Sequence, residues 1–335
     1  MDIIEGQAFA RAGLIGNPSD GYQGKTISII VRNFRARVVL YDWEDVELLL
    51  SQEDHSRFKS VRELVRDVEL HGYYGGIRLV KATIKRFVEY CDQQGHMLHD
   101  GNFSVRYESN IPRQVGLAGS SAIIVATLRA LMTFYQVEIP QRVQPSLVLS
   151  VEQQELGITA GLQDRVIQIY EGAVFMDFTE AATDEVNGFT CGTYEPIAPS
   201  SLPSLYIAYS TDFSEPTETF HNNLRHRYDS GESLVVSAMT EIADLAGQAR
   251  EGILAGNADA VAALMDRNFD LRQSMCKLPR NHVEMIERAR SVGVSAKFAG
   301  SGGAIIGTFT GDAMLEALKV TLADIGCRVI IPVLV

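Results

Sequence analysis

Between residues 110 and 126 the chain reads Asn110-Ile111-Pro112-Arg113-Gln114-Val115-Gly116-Leu117-Ala118-Gly119-Ser120-Ser121-Ala122-Ile123-Ile124-Val125-Ala126, an arrangement suited to gripping an anion. Glycines let backbone N–H groups turn toward a charged oxygen with no Cβ in the way. A helix start adds unsatisfied donors at the positive end of its dipole. Ser120 and Ser121 fall at the expected start, so one hydroxyl could hold a phosphate oxygen and the other a Mg²⁺ ion. The stretch is not a Walker A loop, because Gly-Lys-Ser/Thr is absent, and its glycine spacing is not a dinucleotide fingerprint. The competing reading is a Gly/Ser-rich helix opening that only caps.

Other candidates for chemistry lie far from this loop. Gly16-Asn17-Pro18-Ser19-Asp20-Gly21 crowds turn formers around one carboxylate, as a ligand loop or a plain turn would. Tyr73 and Tyr74, beside Gly75-Gly76, could line a sugar site by stacking and hydroxyl hydrogen bonds, or be ordinary half-buried residues. Asp164, in Thr159-Ala160-Gly161-Leu162-Gln163-Asp164-Arg165, sits in a largely apolar stretch and needs a partner. Arg165 is the adjacent candidate for that ion pair. Gly300-Ser301-Gly302-Gly303 forms a further glycine turn. His221 and His226 are not spaced i, i+4, and with Glu218 they do not complete a metal set, so they read as solvated loop residues.

The positioning elements follow from periodicity. Phe9 to Ile15 reads as a strand, and Thr26 to Val31 with Ala36 to Leu40 as a hairpin, followed by a strand at Val46 to Leu50. Ser60-Val61-Arg62-Glu63 is a capping box opening an amphipathic helix, and a second helix runs from Ile77 to about Gln94-Gly95. The glycine loop lies between a strand at Phe103 to Glu108 and a buried helix at Ala122 to Phe134. A helix over Pro145 to Leu156, a short one over Val166 to Tyr170 and a strand over Gly172 to Phe178 come next. The polar run 179–187 and the Pro/Ser-rich run 196–203 mark a composition shift, where a domain boundary is expected.

The second half opens with a strand at Leu205 to Tyr209 and a loop over Thr217 to Arg227. Helices at Ser233 to Ala255, Ala258 to Met275 and Asn281 to Val292 follow, then strands at Ser295 to Phe298 and Ala304 to Phe309, a helix at Ala313 to Ile325 and a strand at Val329 to Val335. This order suits a split βαβ sandwich of ferredoxin type.

At 335 residues the chain suits two ordinary domains. Its 46% hydrophobic content and 10 prolines fit a compact globular protein. A formal net charge of −12 argues against nucleic acid or an anionic membrane as partner, so positive potential for a phosphate ligand must be local. Cys91, Cys191, Cys276 and Cys327 stand far apart, with neither zinc spacing nor a disulfide framework, which suits reduced thiols in a cytoplasm. The first residues lack a basic-then-apolar leader pattern, and no uninterrupted 18-residue apolar run occurs, so secretion and membrane insertion are not expected.

Gly16 to Gly21, Gly116 to Ala122 and Gly300 to Gly303, in this order and context, resemble the three signatures of the GHMP kinases, the family of galactokinase, homoserine kinase, mevalonate kinase and phosphomevalonate kinase. The resemblance covers essentially the whole chain. The extra residue at Ala118-Gly119, where most of the superfamily has Gly-Leu-Gly-Ser-Ser or Gly-Leu-Ser-Ser-Ser, is shared with the glucuronokinase branch. Asn17-Pro18 stands where galactokinases carry Glu-His, which argues against galactose. The resemblance implies an α+β, two-domain GHMP kinase fold. Residues 1–195 would form a ribosomal-protein-S5-domain-2-like unit and 196–335 a ferredoxin-like split βαβ unit.

It further implies an ATP-dependent sugar 1-kinase acting on D-glucuronate, as a monomer or homodimer. Alternatives are another acceptor (galactose, galacturonate, arabinose or mevalonate), a sugar/ATP sensor on the same fold, or a decarboxylase of a phosphorylated acid. Asp164 would be the catalytic carboxylate with Arg11 in the catalytic set. Glu152 and Ser121 would hold Mg²⁺. Pro112, Gly116, Leu117, Ala118, Gly119, Ser120, Ser121 and Ala122 would hold ATP, with Gly300, Ser301, Gly302 and Gly303 closing the cleft. Arg11, Asn17, Asp20, Tyr73, Tyr74, Asp164 and Arg165 would face the sugar. A uronate carboxylate suits a fork-shaped guanidinium, and Arg11, Arg113 and Arg165 are candidates among which the sequence does not choose.

Overall fold

A computed structural model describes residues 3–48, 56–71, 77–211 and 218–335; Tyr73 and Tyr74 lie outside them. The chain opens with two long antiparallel strands, β1 (Ile3–Ile15) and β2 (Lys25–Trp43). Thr26 to Val31 and Ala36 to Leu40 are thus parts of one strand, not the two arms of a hairpin. The intervening Arg32-Asn33-Phe34-Arg35 contains no positive-φ residue, so no tight turn forms there. Instead it bulges: Phe9 pairs with Arg35 but Ala10 with Val31. The C-terminal tail takes up the bulge, Arg32 N–H donating to the Val333 carbonyl at 2.8 Å and Asn33 Nδ2 to the Ile331 carbonyl at 3.0 Å. That use of the tail ends the last strand early.

After β3 (Val46–Leu48) and β4 (Ser56–Phe58) come α1 (Val61–His71) and α2 (Arg78–Gln94). Ser60 Oγ accepts from Glu63 N–H at 3.1 Å, half of the expected capping box, but the Glu63 carboxylate reaches back to Lys59 N–H. β5 (Asn102–Ser109) leads through the glycine loop into α3 (Gly119–Tyr135). α4 (Gln144–Ser150) is shorter than its apolar pattern predicts and widens into a π turn at Val151–Glu155. α5 (Gln163–Tyr170) starts three residues earlier than expected and so carries Asp164 in its first turn.

β6 (Ala173–Asp177) follows, then a small hairpin of β7 (Asp184–Val186) and β8 (Phe189–Cys191), and β9 (Thr193–Ile197). The first sheet runs β4-β3-β5-β2-β6-β9 with β1 on β2. β5 pairs with Ala36–Trp43 of β2 and β6 with Lys25–Ile29. α3 packs directly on β1: a Cβ at Gly6 would stand 2.1 Å from the Ala126 carbonyl.

The second sheet begins at β10 (Leu205–Ser210). Residues 218–229 form α6 (Glu218–Asp229) rather than a loop. Among its described side chains, buried Leu224 and half-buried Tyr228, one turn apart, hold it, and Tyr228 packs on Tyr22 with centroids 4.6 Å apart. In the sequence Phe220, Leu224 and Tyr228 recur every fourth residue, a helical period set among charged and polar neighbours. α7 (Ser233–Leu254), α8 (Ala258–Met275), α9 (Arg280–Arg290), β11 (Lys297–Phe298), β12 (Ala304–Thr308), α10 (Gly311–Ala323) and β13 (Cys327–Ile330) complete the chain. The sheet order β11-β12-β10-β13, all antiparallel, is that of a split βαβ unit. Among the described residues no helix is long and apolar enough to cross a membrane.

Buried polar groups join the two sheets. Asn268 of α8 accepts from Gly16 N–H at 2.8 Å and donates to the Asn17 carbonyl at 3.2 Å. Lys297 of β11, 1% exposed, donates to the Gly13 carbonyl, Asn17 Oδ1 and the Phe298 carbonyl. All three donors of a buried ammonium are thereby satisfied. Burial, and the charges of Arg272 and Arg11, push its pKa well below the usual lysine range.

Candidate active site

The glycine loop folds as a series of left-handed kinks. Gln114, Gly116 and Ala118 have φ of 59°, 72° and 60°. Ala118 is strained for a residue with a Cβ, and its carbonyl is held by Gln168 Nε2 at 3.0 Å, Ala122 N–H at 3.2 Å and Ser121 Oγ at 3.3 Å. No side chain caps α3, so its first-turn N–H groups are left for an anion in front of them.

That front is a cavity of about 1000 Å³. On one side it is walled by Pro112, Gly116, Leu117, Ala118, Gly119, Ser120 and Ser121. Gly300 and Ser301 of the third glycine turn line it too, whereas Ala122, Gly302 and Gly303 lie behind its wall. Loop and turn touch: a Cβ at Gly300 would stand 2.2 Å from the Gly116 carbonyl. Asp20, Glu152, Asp164, Arg165 and Arg11 line the same cavity and form its charged wall.

Arg11 organises this wall. Its Nε donates to Asp164 Oδ1 at 2.5 Å and Nη2 to Oδ2 at 2.8 Å. Nη1 donates to the Gly116 carbonyl at 2.6 Å and the Ala299 carbonyl at 3.1 Å. One buried guanidinium therefore joins the carboxylate, the glycine loop and the third glycine turn. Arg165 is not the main partner of Asp164: it stands 3.5 Å from Oδ2 and instead pairs with Glu152, both side chains almost wholly buried. The π turn Val151–Glu155 carries Glu152 to that position.

Asp20 closes the remaining corner. Its Oδ2 accepts from Gln163 N–H at 3.3 Å and would lie 2.0 Å from a Cβ at Gly161, which is why a glycine precedes α5 there. Burial first, and the neighbouring Asp164 charge second, push its pKa up to about 7. Asn17 reaches the cavity wall, but its side-chain oxygen is held by Lys297.

Five arginines face the cavity, Arg11, Arg113, Arg165, Arg225 and Arg272, against the carboxylates of Asp20, Glu108, Glu152 and Asp164. The lining is therefore net cationic in a chain of −12, the local positive potential a phosphate ligand needs. Sequence reasoning missed Arg225, Arg272 and Tyr22. Arg272 donates to the Gly300 carbonyl at 2.8 Å and the Ser301 carbonyl at 3.2 Å, fixing the third glycine turn from α8. No local motif marks any of the three.

The family profile described as "GHMP kinases N terminal domain" matches residues 78–172. Over 313 residues the chain is 44% identical to "Probable glucuronokinase 2" of Arabidopsis thaliana, spanning 91% of this chain and 84% of the relative. It is 42% identical to "Glucuronokinase 1" of the same plant over 310 residues, 90% of this chain and 84% of the relative. The chain belongs to the GHMP kinases, in the glucuronokinase group. The family fold is shared at much lower identity: a Lactococcus lactis galactokinase crystallised with galactose superposes with a TM-score of 0.78 at 16% identity, over 99% of this chain and 94% of that one. In this member of the family the glycine loop and the acidic residues line one cavity.

Proposed function

We propose that this protein is an ATP-dependent sugar 1-kinase of glucuronokinase type, transferring the γ-phosphoryl group of ATP to the anomeric hydroxyl of D-glucuronate. The observation that carries the reading is a carboxylate, Asp164, clamped at two points by Arg11 and lining the same cavity as an uncapped helix start, in a chain 42% and 44% identical to two plant glucuronokinases.

Phosphoryl transfer asks a protein mainly for positioning and charge stabilisation. Backbone N–H groups of Gly119, Ser120 and Ser121 take the triphosphate oxygens, and Gly300-Ser301 covers them from the second sheet. Arg11 holds both Asp164 oxygens in one plane, so the carboxylate orients the acceptor hydroxyl and takes its proton. An anomeric hydroxyl is more acidic than other sugar hydroxyls, and a carboxylate is base enough. Asp20 lies beside Asp164 as a hydrogen-bond partner for other sugar hydroxyls.

Magnesium held by one carboxylate and a hydroxyl, with substrate phosphates and water completing its shell, matches the oxygen donors present. Ser121 Oγ and Glu152 line the cavity and would hold it. When bound, the ion supplies positive charge to the transferring phosphoryl oxygens. The buried Arg165 sets the orientation of Glu152. Free, reduced cysteines suit a cytoplasmic enzyme, acting as a monomer or homodimer.

The test is a coupled ADP-release screen over glucuronate, galacturonate, galactose, arabinose and mevalonate with Mg²⁺ and ATP. Glucuronate is expected to give the highest kcat/KM. Turnover of another acceptor with none of either uronate overturns the reading.

A further inference from the structure

We infer that Arg225, on α6, is the residue that recognises the substrate carboxylate and so sets the preference for a uronic acid over a neutral sugar; this rests on the kinase reading above. Five guanidiniums reach the cavity, and their hydrogen bonds separate them. Arg11 binds Asp164 and two carbonyls, Arg165 binds Glu152 and the Gly161 carbonyl, and Arg272 binds the carbonyls of Gly300 and Ser301. Those three are fixed parts of the frame.

Arg113 and Arg225 remain, and position decides between them. Both are exposed at the surface; Arg113 follows Pro112 at the mouth of the glycine loop, on the triphosphate side. Arg225 is on the acceptor side. Its Nη1 donates to the Gly21 carbonyl at 2.7 Å, one residue beyond Asp20, and its guanidinium lies over the Tyr22 ring, 4.9 Å from the centroid. Asp20 in turn touches Gly161 and Gln163, which lead directly into Asp164.

The carbonyl and the ring face fix the plane of the Arg225 guanidinium, while no carboxylate among the described residues engages it. A planar fork at the cavity lining, anchored through one N–H and its face, keeps further N–H donors for a two-point carboxylate contact. Tyr22 and Tyr228, packed on each other, hold α6 against the Asp20 loop, so the distance from base to guanidinium is set by core contacts rather than by a free loop.

The experiment compares D-glucuronate with D-glucuronamide, its uncharged isostere, in steady-state kinetics with saturating Mg²⁺ and ATP. The parent enzyme is expected to favour glucuronate about 100-fold in kcat/KM, the size of a paired charged hydrogen bond. Arg225→Gln should collapse that ratio toward one through KM for glucuronate, leaving KM for ATP in place. Arg225→Lys, which keeps charge without the fork, should fall between. An unchanged ratio in Arg225→Gln, or the same collapse in Arg113→Gln instead, overturns the assignment while the kinase reading stands. If the parent phosphorylates no uronate at all, the kinase reading fails first and takes this inference with it.

Discussion

Arg11 on β1 and Asp164 at the start of α5, 153 positions apart, meet in a two-point contact, Nε to Oδ1 at 2.5 Å and Nη2 to Oδ2 at 2.8 Å. A lysine keeps the charge but offers a single nitrogen in place of the fork. Arg11→Lys is expected to lower kcat about 100-fold while the protein remains folded, since a small misplacement of the base suffices. Stopped or steady-state ADP release would show it. A kcat within threefold of the parent would mean the clamp does not position the base.

Asp164→Asn removes the proton acceptor and leaves its shape. Turnover should fall at least ~1000-fold while nucleotide binding, followed by equilibrium fluorescence titration, survives. Unaltered turnover would remove Asp164 from the chemistry.

Glu152 and Arg165 are a buried pair with side-chain exposures of 4% and 5%. Breaking such a pair leaves one charge uncompensated, so Glu152→Gln should cost about 3 kcal/mol in denaturant unfolding. If Glu152 also holds the metal, Mn²⁺ binding to the nucleotide complex, read by electron paramagnetic resonance, should weaken at least about tenfold. Lost stability with metal affinity intact would reduce Glu152 to a counterion of Arg165.

Gly300 has no room for a side chain: its Cβ would meet the Gly116 carbonyl at 2.2 Å and Arg11 Nη1 at 2.8 Å. Gly300→Ala should therefore cost roughly 1–3 kcal/mol and raise KM for ATP, because the loop or the turn must retreat. Gly119→Ala, where the nearest atom is Ile111 Cγ2 at 3.5 Å, should leave the melting temperature nearly unchanged. Equal destabilisation by both would contradict the close approach of the two motifs.

Asp20 has its pKa raised from 3.8 to about 7 by burial and then by Asp164. The folded state thus holds this proton more tightly than the unfolded chain. Its contribution to stability is fully present below about pH 4 and is lost as pH rises through 7. Asp20→Asn removes that loss, so the melting temperature of the variant relative to the parent should climb by a few degrees between pH 5 and pH 8. Parallel melting curves across that range would show that Asp20 ionises normally.

The elements that depend on neighbours in the chain were legible before folding. The glycine loop between β5 and α3, α2 with its Gly95 stop, α8, and the β-β-α-β order of the last third all follow from spacing, caps and breakers. Asp164 and the three glycine turns could be singled out because small residues, and a carboxylate in apolar surroundings, are locally odd, whereas Asp20 in its loop of turn formers was marked by the family resemblance. What the residues alone left open was which groups meet. Arg165 is adjacent to Asp164 yet pairs with Glu152, because a helical turn points neighbouring side chains about 100° apart.

Arg225 carried no local signal, since its relation to Gly21 and Tyr22 spans about 200 positions. The same holds for β2, whose bulge looks like a turn until the C-terminal tail supplies its missing hydrogen bonds. Local propensity decides how short stretches bend and coil, whereas charges are paired, and glycines obliged, by surfaces brought together only when the two sheets close on Arg11, Asn17 and Lys297.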